Sequence, residues 1–164
     1  MTEFEDQLKK AIERGQRMQD ARQQRQKQAR LTADQLKIRH NEFRLPLSDR
    51  IEQALQTLAN QLPGFEYENI YGDRGWGGAV SRDELVISQG HRDNAYSRLE
   101  LTVKSFSELH VVDIGGKGTV KNREVFVRQH HRAIGETDLD EFLETIDRWV
   151  LEYAQLYTAA DAVR

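Results

Sequence analysis

Several segments carry residue types that catalysis uses, and in each the spacing fails the chemistry. His91-Arg92-Asp93 has the letters of a phosphoryl-transfer catalytic loop, but that reaction needs an Asn five positions after the aspartate, and Arg98 stands there. Gly115-Gly116-Lys117-Gly118-Thr119 has the composition of a phosphate cradle. Such a loop requires Ser or Thr directly after the lysine and Gly five positions before it; Gly118 and Val112 occupy those places, so the run is expected to be a hairpin turn. Of the histidines His40, His91, His110, His130 and His131, only His110 and His130, with Asp113, could converge across neighbouring strands. His110 and Asp113 differ by an odd number and point to opposite faces of a regular strand, which argues against a metal site. Zero cysteines remove thiol nucleophiles, disulfides and Cys-ligated metal centres, and no Ser or Thr has an identifiable base. No catalytic residue, metal site or cofactor is expected, and the chain reads as leaning away from an enzyme.

Two non-catalytic features remain. Gly72-Asp73-Arg74-Gly75-Trp76-Gly77-Gly78 is the most unusual local composition. Its glycines would let a backbone approach a ligand, with Arg74 and Trp76 as contacts, but a hairpin loop with its Trp folded onto the sheet accounts for it better. Arg14, Arg17, Arg22, Arg25, Lys27 and Arg30 against the lone Asp20 form the strongest charge feature, able to neutralise phosphates by counterion release. No aromatic lies between Phe4 and Phe43, so nucleic-acid binding there would be non-specific.

The elements that hold these residues follow from periodicity. Phe4, Leu8, Ala11, Ile12 and Met18 share one stripe of a helix, supported by i, i+4 pairs such as Glu5 with Lys9. From Gln19 to Gln28 the stripe vanishes, and Thr32-Ala33-Asp34-Gln35 reads as a capping box, so a break is predicted near Leu31. A continuous two-stranded coiled coil fails because Arg22 and Arg25 would sit in its seam, although each end could pair locally. Pro46 predicts a joint, after which Ser48 caps a helix carrying Ile51, Ala54, Leu55, Leu58 and Leu62.

Beyond Gly64 the period becomes two, predicting strands near 65–71, 76–81, 84–89, 96–105, 108–114 and 123–130. The turn after Ile114 is open between the glycine run and Lys121-Asn122. Thr137 is expected to cap a last helix with Leu139, Phe142, Leu143, Ile146, Trp149, Val150, Tyr153 and Tyr157 on one face. Its acidic face, Asp140, Glu141, Glu144, Asp147 and Glu152, reads as solvated.

The 164 residues suit one domain plus an appendage, and 13 aromatics supply a core. The net charge of -3 divides into +4 over residues 1–44 and -7 over residues 45–164. The expected fold is therefore α+β: an antiparallel β-meander of five or six strands, flanked by a helix on its N-terminal side and a C-terminal helix, preceded by a basic Gln/Arg-rich helical arm. Residues 1–44 form the arm and 45–164 the body. No apolar run approaches the length of a membrane span and no secretory leader is legible, so cytoplasmic residence is the default. The expected function is protein interaction or assembly, with Phe4, Leu8, Ile12 and Met18 engaging a protein partner or a second copy. Non-specific nucleic-acid binding by the basic segment is the alternative, and a ligand site near Gly72 to Gly78 the third.

Overall fold

Helix α1 (Glu3–Gln61) runs through both points at which the sequence predicts an interruption. The structure, a computed structural model, describes residues 2 to 160, though not the side chains of Ala29, Leu31 and Ser88. After α1 come β1 (Glu66–Ile70), β2 (Trp76–Ser88), β3 (His91–Val103), β4 (Val111–Val120), β5 (Arg123–Ala133), a 3-10 turn at Ile134–Glu136 and α2 (Leu139–Ala159). The chain divides into two compact units, Met1–Ile38 and Arg39–Arg164. The first is helix alone; the second holds the remainder of α1, a five-stranded antiparallel sheet in the order β1-β2-β3-β4-β5, and α2. The fold is α+β.

The two missing breaks have separate reasons. Thr32 does not cap a new helix: its hydroxyl donates back to the Gln28 carbonyl at 2.9 Å, a bond available only inside a continuing helix. Pro46 removes the amide that would reach the Glu42 carbonyl, at a cost of about 3 kcal/mol. Leu47, Ile51, Leu55 and Leu58, immediately beyond it, are all buried, and each contributes roughly 1.5 to 3 kcal/mol, enough to carry the helix through the proline. Ser48 is accordingly mid-helix, its hydroxyl donating to the Leu45 carbonyl at 3.1 Å.

Strand number resolves to five. The expected turn at Arg82-Asp83 is absent, because both residues pair in register with Ser97 and Tyr96 and join two short predicted strands into β2. His91-Arg92-Asp93, which falls between two of the predicted strands, instead opens β3. The β2–β3 connection is the two-residue loop Gln89-Gly90, and β4–β5 is closed by Lys121-Asn122. All four residues have positive φ, between 47° and 80°, the geometry of tight hairpin turns. The glycine run is not a turn: Gly115, Gly116, Lys117 and Gly118 lie inside β4.

Those glycines seat α2. A Cβ on Gly116 would lie 3.0 Å from the Trp149 ring, and one on Gly118 would lie 3.1 Å from the rings of Tyr153 and Phe126. The bare backbone lets the buried face of α2, Phe142, Ile146, Trp149 and Tyr153, settle onto the strand. Tyr153 donates its hydroxyl to the Thr119 carbonyl at 2.8 Å, and burial holds its pKa well above the usual phenol value. On β3, Ala95, Ser97, Leu99, Leu101 and Val103 point into this core. The cap of α2 is Asp138, one residue later than expected; its carboxylate accepts from the Asp140 amide at 3.1 Å, while Thr137 donates to the Ala133 carbonyl. The acidic face of α2 is partly paired rather than simply solvated. Asp147 takes a two-pronged contact from Arg50 of α1, and Glu152 and Glu141 each lie 2.8 Å from a β5 arginine, Arg128 and Arg132.

Candidate interaction surface

In the first unit the apolar stripe is exposed. Phe4, Leu8, Ile12 and Met18 are 69%, 49%, 55% and 67% exposed. They lie on one side because a helix advances 100° per residue, and the good helix formers from Gln19 to Gln28 extend the element without adding to the stripe. The six basic residues from Arg14 to Arg30 are also exposed and helical. They do not make a single face: Arg14, Arg17, Arg22 and Arg25 fall within an arc of about 140°, whereas Lys27 and Arg30 lie on the opposite side. Arg14 and Arg25 turn their Nε atoms back to donate to the carbonyls of Lys10 and Ala21.

The glycine-rich loop between β1 and β2 is shaped by close backbone approach. A Cβ on Gly75 would lie 2.1 Å from the Val103 carbonyl oxygen, and one on Gly77 would lie 1.9 Å from that of Leu101. Both glycines are demanded by strand packing, which leaves no need for a ligand to explain them. Arg74 and Trp76 are not brought together. Trp76 borders a small hollow with Ser48, Glu52 and Tyr67, and the Arg44 guanidinium sits 4.2 Å from its ring centroid, occupying one stacking face. Arg74 borders a different hollow on the sheet face away from the helices.

That second hollow, about 310 Å³, is one that no sequence pattern marks, because it depends on strand register. Glu100 stands opposite Lys117 and Thr102 opposite Gly115, with Lys104 and Gln129 alongside. Asp113 lies beside it, mostly buried; Gln129 donates to its Oδ2 at 2.8 Å, Lys104 lies 3.5 Å from the same atom, and Oδ1 has no partner among the described residues. Four basic residues, Arg74, Lys104, Lys117 and Arg128, line it against Glu100 and the neighbouring Asp113, so the basic sign dominates.

The remaining titratable candidates are structural. His110 stacks on Phe106 and His130 sets its edge against Phe142, while Asp113 is held as above; among the described residues no group of His, Asp and Glu could hold a metal ion. His40 is buried edge-on to Phe106, and burial, opposed by a hydrogen bond with the Lys104 backbone, lowers its pKa. Beyond Ser81 and Arg98 the hairpin of β2 and β3 continues as a two-stranded ribbon, exposing Leu85 and Ile87. The edge of β3 there is closed by Asn122, whose amide donates to the Tyr96 carbonyl and whose side chain bonds the Tyr96 amide and the Asn94 carbonyl.

Among the described residues no helix is long and apolar enough to cross a membrane. Compared with family models, with curated proteins and with solved structures, the chain matches none.

Proposed function

We propose that this chain is a non-enzymatic assembly module whose N-terminal helix engages another protein surface. The observation that carries the reading is the exposed stripe Phe4, Leu8, Ile12 and Met18 on a regular helix. Four large apolar side chains held in water at helical spacing each leave roughly 1.5 to 3 kcal/mol of burial unclaimed, which a docked surface recovers. The paucity of chemistry elsewhere supports the same reading: the glycine-rich loop is explained by backbone packing, and His40, His110 and His130 by aromatic neighbours.

Light scattering and affinity capture on the full chain test it. Replacing Phe4, Leu8 and Ile12 together with Ser should lower the solution mass or release a bound protein. If mass and captured proteins are the same with and without the stripe, the reading fails. Non-specific nucleic-acid binding is the second reading, favoured by the unbroken helical display of Arg14, Arg17, Arg22, Arg25, Lys27 and Arg30. It requires affinity that falls steeply with salt and vanishes when Arg22, Arg25, Lys27 and Arg30 become Gln.

A further inference from the structure

We infer that the partner of the arm is a second copy of the arm, paired antiparallel so that Leu8 of each chain faces Met18 of the other. The inference rests on the assembly reading above and adds the identity and direction of the partner. It begins with Arg22, which lies five helical turns beyond Phe4 and therefore continues the stripe of Phe4, Leu8, Ala11, Gly15 and Met18. A parallel, in-register pair would set Arg22 against Arg22 and Arg25 against Arg25 inside the seam, and would crowd both acidic first turns, Glu3, Glu5 and Asp6, at one end.

Reversing one helix removes each conflict at once. With Leu8 level with the second copy's Met18, Arg22 is level with Phe4 and beside Glu3 and Glu5, so its guanidinium gains an aromatic face and carboxylate neighbours. Ala11 then meets Gly15 in the two central layers. Neither bulks the seam, and a Cβ on Gly15 would have open space around it, so the helices can approach closely there. Ile12, at the margin of the stripe, falls beside Ile12 of the second copy. The exposed residues Phe4, Leu8, Ile12 and Met18 all enter one contact, and the paired segment, residues 4 to 22, lies wholly within the first unit.

The absence of native cysteine makes the geometry directly testable in the full-length protein. Leu8→Cys and Met18→Cys variants, mixed in equal amounts and oxidised, should cross-link at least about tenfold faster than either alone, because two copies of position 8 would stand about 15 Å apart along the axis. Sedimentation at about 100 µM should give a two-chain mass for the unaltered protein and a one-chain mass for both Phe4→Glu and Arg22→Glu. Cross-linking of Leu8→Cys alone as fast as the mixture overturns the antiparallel pairing. A one-chain mass for the unaltered protein that still captures another protein through the stripe overturns self-pairing and leaves the assembly reading standing. A two-chain mass that survives Phe4→Glu and Leu8→Glu, with no protein captured through the stripe, overturns both.

Discussion

Helix α1 carries two apolar stripes of similar spacing with opposite fates. Leu47, Ile51, Leu55 and Leu58 in the second unit are buried, whereas Phe4, Leu8, Ile12 and Met18 in the first are exposed. Local sequence treats the two alike: both fall on one side of a helix, and both are flanked by polar residues. The difference is what covers them. The second stripe is buried in the second unit, where α1 also meets α2 through Arg50 and Asp147, and that burial is strong enough to keep the helix intact across Pro46. The first stays exposed on its own helix, and that exposure is what supports the proposed interaction surface.

The comparison can be broken from the buried side first. Trp149→Ala removes the ring seated over Gly116 and should cost about 3 to 5 kcal/mol, measured by urea denaturation of the second unit's transition. Leu55→Ala should cost about 2 to 4 kcal/mol in the same assay, and Ile12→Ala less than about 0.5 kcal/mol under dilute conditions. Equal costs for Leu55→Ala and Ile12→Ala would show that the first stripe is covered after all.

A smaller effect separates the units by pH. His40 has its pKa lowered by burial, so the unfolded chain takes up the proton first as pH falls. Its contribution to stability is complete above the ordinary value of 6.5 and is lost as pH falls through that value toward the lowered one. His40→Gln should flatten the pH dependence over that window relative to the parent, read by thermal melts at stepped pH. An unchanged slope would place the titration elsewhere. Within the second unit, Arg50→Gln should also have a small effect: it removes the contact with Asp147, and both residues are more than a third exposed. Solvent screening limits that loss to about 0.2 to 1 kcal/mol, and it should shrink further in 1 M salt.

Much of this architecture is legible in the residues. The amphipathic pattern of α2 and the alternation of β3 are strong enough to read directly, and they require an α+β body with one face of the sheet covered. Errors concentrate where composition imitates a turn. Gly115 to Gly118 has turn composition, yet it is strand, because Trp149 and Tyr153 approach β4 more closely than a side chain would permit. Arg82-Asp83 resembles a break, yet a partner strand running alongside holds it extended. Pro46 and Thr32 resemble boundaries for equally local reasons.

The candidate surface divides in the same way. The stripe from Phe4 to Met18 is a property of spacing alone, since 100° per residue places those side chains together wherever the helix goes. That it stands exposed was decided only by tertiary structure, because burial depends on what the rest of the chain brings near. The hollow bordered by Glu100, Lys104 and Lys117 is a further step removed from sequence. Its residues come from separate strands and meet only through hydrogen-bonded register, which no single segment encodes. Sequence by itself determined the faces of each helix and strand; the pairing of those faces, and which one was left without a partner, belonged to long-range packing.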